Sequence, residues 1–260
     1  MKILYMLLAL VGSAFATGIS LDNHTYNAGN VAASGTKGLT YTATAGDWGF
    51  VVITANYSSI TAVPMTFTSD SGGSTWNSCS EYPSSALGAT GTLNYAISCF
   101  YTKNMASTSG TLTFTNGSSS ATARADIYFA DFVGVPSTMA FDTAAMGSTP
   151  WCVSSTNGTA LTCTSSGSVS GTNELILAVG VATNCSSISS WTAGTGYAIT
   201  NSDTGGSECP SVLEWKNDTS ASGTETATIT VSPSSAWGEG LIMLYQPAAT
   251  AKRRRAEVIQ

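Results

Sequence analysis

A segment of thirteen residues recurs in this chain with its spacing intact, and this restricts the possible folds more than any other feature. KNMASTSGTLTFT at 103–115 returns 113 residues later as KNDTSASGTETAT at 216–228, with eight of the thirteen positions identical. An identity held in register over this length predicts that one structural unit is present twice.

Shorter matches in the same order extend the repeat to most of the chain. They are LTYT (39–42) with LTCT (161–164), GFVVITANYSSI (49–60) with LILAVGVATNCSSI (175–188), and SDSGGS (69–74) with SDTGGS (202–207). The separations differ, so the loops differ in length while the order of elements is kept. We predict two repeat halves, at about 20–134 and 140–247.

The periodicity of the repeated segments predicts strands. Thr111, Thr113 and Thr115 alternate with Leu112 and Phe114, which is the pattern of a strand with one wet face. FVVITA, ELILAVGVA and LIMLYQ are continuous apolar runs, as expected for strands covered on both faces. Only 9% of the residues are charged and the segments between these runs are rich in Ser, Thr and Gly, which favours turns over helices.

These patterns predict an all-β fold over residues 17–247. We expect a two-sheet β-sandwich of the jelly-roll or Greek-key type, built from the two repeats and stapled by disulfides. Two Ig-like domains in tandem are the alternative. The connector at about 135–170 has no Pro-rich or charged linker, which favours one compact unit.

The two ends of the chain predict its compartment. Residues 1–16 have a charged start, an apolar stretch and a small-x-small cleavage site, which are typical of a secretory signal peptide. Between residues 17 and 251 there are four basic and fourteen acidic residues, whereas 248–260 is a basic tail that carries KRRR. An acidic body disfavours nucleic acid as a partner. We expect an extracellular or cell-surface protein without a transmembrane segment, and leave open whether the tail is disordered, a tether to an anionic envelope or a processing signal.

The cysteines predict structural disulfides, because export favours oxidation and no CxxC motif is present. Their spacing suggests that nearest neighbours pair, which gives three bridges: Cys79 with Cys99, Cys152 with Cys163, and Cys185 with Cys209.

Residues for catalysis are sparse. His24 is the only histidine, and no G-x-S-x-G motif accompanies it, so a serine hydrolase triad is not expected. A glycoside hydrolase needs only two carboxylates. The candidates are scattered along the chain, and for each of them the simpler interpretation is a solvated acid at a strand edge. They are Glu81, Glu174, Glu208, Glu214, Glu225 and Glu239.

Binding residues can be proposed from residue type. Trp76, Trp151 and Trp191 lie in Ser/Thr/Gly-rich segments, where exposed rings could stack on sugars. Asp70 and Asp203 could supply oxygen ligands to calcium, although each lies in a sequence typical of a plain turn. No other cofactor is expected.

The repeat segments resemble a loosely defined set of secreted bacterial β-sandwich proteins of unestablished function. The resemblance rests on ATAGDWGFVVITA, FTSDSGGSTW, CFYTKN and GTLTFTNGSSSATARADIYFADFVGV, and continues through FDTAA, TNELILAVG and GLIMLYQPAA over most of the chain. It implies an extracellular sandwich with an adhesive or glycan-contacting role, and supplies no catalytic residues. The six cysteines and the basic tail depart from the pattern.

Three functions follow as hypotheses. The first is a non-catalytic module that binds carbohydrate or another cell-surface component. The second is a structural subunit of an extracellular layer or fibre, in which exposed strand edges pair between copies and the chain self-associates. The third is a glycoside hydrolase that uses paired carboxylates.

Overall fold

The computed structural model describes residues 18–57, 63–79, 86–90, 93–147, 151–182, 188–205 and 209–247. The predicted signal peptide, the basic tail, Cys185, Glu81 and Glu208 lie outside these residues. Nearly all of the regular structure is β-strand, which confirms the predicted class. Among the described residues, no helix has the length and apolar character needed to span a membrane.

In the first half of the chain the described residues form nine strands. They are β1 (Ser20–Val31), β2 (Thr36–Thr42), β3 (Trp48–Tyr57), β4 (Thr66–Asp70), β5 (Asn77–Ser78), β6 (Ala86–Thr90), β7 (Leu93–Thr102), β8 (Ser109–Thr115) and β9 (Ala123–Val133). One sheet has the order β1-β9-β3-β7-β5, with β6 also paired to β7, and we call it the first inner layer. The second sheet, β2-β8-β4, is the first outer layer.

In the part of the second half that the structure describes there are one short helix and seven strands. They are β10 (Ala140–Phe141), α1 (Thr143–Met146), β11 (Trp151–Thr164), β12 (Glu174–Ala182), β13 (Ser190–Thr192), β14 (Ala198–Ser202), β15 (Ser211–Asp218) and β16 (Thr226–Tyr245). The order β10-β16-β12-β15-β14 forms the second inner layer.

Strand β16 is long enough to belong to two layers. Its residues 237–245 pair with β12, whereas 226–232 pair with the end of β11 and with β13. The latter group is the second outer layer. It remains part of the same seven-stranded sheet as the second inner layer, so the described strands form antiparallel sheets of six, seven and three strands, in keeping with the predicted β-sandwich.

The strand orders of the two halves correspond. In the inner layers β9, β3 and β7 take the places of β16, β12 and β15, and in the outer layers β2, β8 and β4 take those of β11, β16 and β13. Three of the four sequence matches fall on equivalent strands. The match of 69–74 with 202–207 does not, because β4 lies in an outer layer and β14 lies in an inner one.

Burial on both sides explains the continuous apolar runs. Along β9, Tyr128 and Phe132 face the second half while Ile127 and Phe129 face the first outer layer. Phe132 packs edge to face on Trp215 of β15, with ring centres 5.3 Å apart. The two inner layers thus share one hydrophobic core to which both halves contribute.

The disulfides support this packing. Cys79–Cys99 and Cys152–Cys163 are formed, each with 5.3 Å between Cα atoms, which confirms these two predicted pairs. Cys209 is also disulfide-bonded. Cys152 and Cys163 both belong to β11, and their bond holds the two ends of this bent strand together. The disulfides indicate an oxidising compartment outside the cytosol.

Candidate functional site

Two adjoining cavities form a cleft where the first inner layer ends. Their volumes are about 340 and 230 Å³, and both are lined by Tyr101 and Lys103. We call the pair the Lys103 cleft. Its remaining lining residues are Gly73, Thr75, Asn77, Thr102, Asn104 and Ala106 in the larger cavity, and Trp48, Met139, Ala140, Phe141 and Leu244 in the smaller.

One rim of the cleft is a turn that Asp70 organises. The Asp70 carboxylate accepts hydrogen bonds from the Gly72 backbone N–H (2.7 Å), the Ser74 backbone N–H (3.2 Å) and the Trp76 indole N–H (3.0 Å). The Tyr41 hydroxyl donates to the same carboxylate at 3.0 Å. Burial, and then Asp70, raise the pKa of Tyr41 to about 12. This network fixes the backbone from which Thr75 faces the cleft.

The wall of the cleft is aromatic. Trp48 is buried and stacks on the half-buried Tyr101, with ring centres 6.3 Å apart and planes inclined by 22°. Tyr101 in turn meets Phe141 edge to face at 5.0 Å. Aromatic carbons beside polar edges offer the apolar area and orientation that a sugar ring needs.

Lys103 is held at the junction of the two cavities. Its ammonium nitrogen lies 4.8 Å from the Trp48 ring centre and donates a hydrogen bond to the Met139 carbonyl oxygen at 3.3 Å. The side chain is nevertheless exposed, as are the amides of Asn77 and Asn104. The cleft therefore combines an aromatic wall, amide and hydroxyl groups, and one cation.

The three tryptophans predicted to bind a ligand do not form a common surface. Trp76 is half-buried between Phe67 and Phe129, with its N–H taken by Asp70, so it supports the rim of the cleft without lining it. Trp151 is half-buried against the core shared by the halves.

The prediction of an exposed Trp191 is wrong. Its side chain is 9% exposed and its indole N–H donates to the Asp203 carbonyl oxygen at 2.7 Å. The physical reason is that Trp191 lies in β13 between the exposed Ser190 and Thr192, so strand alternation points it into the core.

Of the two calcium candidates, Asp70 takes the plain-turn role that its sequence also allowed, because its oxygens already accept bonds from the turn. The backbone carbonyl oxygen of Asp203 accepts the hydrogen bond from the Trp191 indole N–H. Among the described residues a different group, Asp22, Asp47 and Asp131, brings carboxylate oxygens within 4.8 Å of one another and could hold a cation. Burial raises the pKa of both Asp47 and Asp131, and for Asp47 the charge of Asp131 adds to this.

Of the six glutamates considered for glycoside hydrolysis, the four that the structure describes are buried. Glu174, Glu214 and Glu239 are fully inaccessible, and Glu225 pairs with Lys216 at 3.1 Å. Burial is the main cause that raises the pKa of Glu174 to about 8, of Glu214 to about 7 and of Glu239 to about 10. These three side chains cannot reach a polysaccharide, and no acidic residue is among those described as lining the Lys103 cleft.

His24 is exposed on β1, and its Nδ1 lies 3.2 Å from the Asn201 side-chain oxygen.

Sequence reasoning missed Tyr101 and Lys103 as site residues. The repeated Lys-Asn pair at 103–104 and 216–217 was a signal for Lys103, and no signal pointed to Tyr101.

No protein-family model matches this chain, and no curated protein matches it either.

Proposed function

We propose that this chain is an extracellular, non-catalytic carbohydrate-binding protein and that the Lys103 cleft is its binding site. The observation that carries the proposal is the combination found there: an aromatic wall, exposed amides and hydroxyls, and a cavity of about 340 Å³, which lies within the range of small-ligand sites. An adhesive role follows if the glycan belongs to a cell surface.

The predicted secretion of the chain supports this proposal. The predicted signal peptide and the disulfides agree on an oxidising exterior, where glycans are abundant. The absence of a carboxylate among the described lining residues separates the cleft from a glycosidase site, which needs two acids beside the bond that is cleaved.

The test is a glycan array followed by calorimetric titration of the best ligand into the oxidised secreted chain. The variants Asn77→Ala and Asn104→Ala remove exposed amides from the cleft without touching the core. Asn157→Ala, which removes an exposed amide from β11, is the matched control.

We expect each cleft variant to weaken binding about five- to tenfold, which corresponds to roughly 1 kcal/mol for a lost hydrogen bond. The control should bind as the unaltered chain does. Saturable binding that none of the cleft variants weakens would overturn the assignment of the site. No binding to any glycan, together with self-association that depends on concentration, would favour the structural subunit.

A further inference from the structure

We infer that the Lys103 cleft selects acidic glycans, with a uronate carboxylate or a sulfate ester in contact with the Lys103 ammonium. This inference rests on the proposed function and adds the chemical class of the ligand. Three observations carry it: the charge of the lining, the comparison with the second repeat, and the geometry of the ammonium.

The cleft differs in charge from the rest of the molecule. Between residues 17 and 251 the chain has four basic and fourteen acidic residues, yet the only formal charge among the described lining residues is that of Lys103. Like charges disfavour binding. The Asp70 carboxylate in the rim of the cleft is engaged by four hydrogen-bond donors. An anionic group is therefore accepted in this cleft more readily than on the acidic surface around it.

In the second repeat, the equivalent lysine is ion-paired with carboxylates of the chain itself. Lys216 is equivalent to Lys103, and its ammonium also lies over an aromatic ring, 5.7 Å from the centre of Tyr197. There, however, Asp218 and Glu225 contact the ammonium at 2.6 and 3.1 Å. The second copy thus supplies its own two carboxylates.

The first copy lacks these two acids. In the register of the repeat, Met105 takes the place of Asp218 and Leu112 that of Glu225. Both replacements are buried and apolar. Among the ion pairs within the described residues, none includes Lys103. In both copies the lysine ammonium lies over an aromatic ring. Among the described residues, only the second copy places its own carboxylates in contact with that ammonium.

The Lys103 ammonium is also held in position before any ligand binds. Packing on Trp48 and one hydrogen bond to the Met139 carbonyl restrict the side chain, so little conformational entropy is lost when an anion binds. An ammonium has three donors, and only one is used on Met139. The side chain is exposed, so an anionic oxygen in the cleft can accept a charge-assisted hydrogen bond.

The test compares pairs of polymers that share a backbone, of which one carries acidic groups and the other does not. Polygalacturonate is compared with its fully methyl-esterified form, and dextran sulfate with dextran, by titration into the oxidised chain at low and physiological salt. We expect at least one acidic polymer to bind about tenfold more tightly than its neutral partner, and the preference to shrink at higher salt. The two pairs distinguish a uronate from a sulfate.

Three variants locate the effect. Lys103→Met keeps an apolar stem over Trp48 and should abolish the preference, whereas Lys103→Arg should retain it. Lys37→Met is the matched control, since it removes one positive charge from β2, outside the lining of the cleft. Circular dichroism and thermal melting confirm that each variant is folded.

The outcomes separate the two proposals. Equal binding of neutral and acidic polymers would overturn the acidic selectivity and leave the carbohydrate-binding function in place. An equal loss of preference in Lys37→Met and Lys103→Met would also overturn it, because net charge and not the cleft would then be responsible. No binding of any polymer would overturn both.

Discussion

Glu239 provides the sharpest prediction, because replacing it with glutamine should stabilise the protein. The side chain is fully buried in β16, and neither carboxyl oxygen has a hydrogen-bond partner among the described residues. Burial, and then the nearby Glu214, raise its pKa from 4.5 to about 10. At neutral pH this glutamate is therefore protonated in the folded chain and ionised in the unfolded chain.

The magnitude follows from linkage. A raised folded-state pKa means that the group opposes folding least below pH 4.5, and that stability is lost as the pH rises toward about 10. Each pH unit in this window costs about 1.4 kcal/mol, so taking up a proton at pH 7 costs about 3 kcal/mol. Glutamine has nearly the same shape and does not ionise. We expect Glu239→Gln to gain about 3 kcal/mol at pH 7 and almost nothing at pH 4.

The assay is urea denaturation of the oxidised chain at pH 4, 5.5, 7 and 8.5, with the free energy of unfolding extrapolated to water. Glu225→Gln is the control, since the Glu225 carboxylate accepts a hydrogen bond from Lys216. We expect this variant to lower the free energy of unfolding at pH 7. A difference between Glu239→Gln and the unaltered chain that stays constant from pH 4 to pH 7 would refute the reasoning.

Three further predictions concern the parts that hold the fold and the cleft together. Asp70→Ala leaves the turn donors and the Tyr41 hydroxyl without their acceptor, so we expect a loss of about 2 kcal/mol in urea denaturation and weaker glycan binding by titration. Replacing both Cys152 and Cys163 with Ser frees a short loop and should cost about 3 kcal/mol, read from the midpoint of the same unfolding curve. Phe132→Ala leaves a cavity in the core between the halves and should cost about 3–5 kcal/mol in thermal or urea unfolding. A cost below about 1 kcal/mol for this last variant would contradict a core shared by the two halves.

Much of the fold could be predicted from local patterns. Alternation in 109–115 and 226–231 identified strands, and the repeat identified which strands are equivalent, because these properties depend on nearest neighbours along the chain. Two disulfides followed from spacing for the same reason. The double pairing of β16 did not follow: Pro233, which has no backbone N–H, marks the place between its two parts, but it does not show which strands each part pairs with.

The site was harder to predict than the fold. The lining of the Lys103 cleft comes from the start of β3, the segment from the turn after β4 to β5, the end of β7 with the residues that follow it, the connector before α1 and the end of β16. Only tertiary packing brings these segments together. The buried glutamates were missed because a charged residue on a strand normally marks a solvated face. Glu214 and Glu239 instead flank β12 beside Ala178 and Gly180, inside the second half.

The double pairing of β16 predicts an order of folding during synthesis. Strands β1 to β9 lie before residue 134 and pair only with one another, so the first copy can complete both of its layers early. By contrast β10, β11, β12 and β13 all pair with β16, and their sheets wait for residues 226–245 to be made. Until then the face that carries Phe50 and Phe132 is uncovered, a state in which chains aggregate or recruit chaperones. We therefore expect the first copy to fold before the second and to present the surface on which the second copy packs.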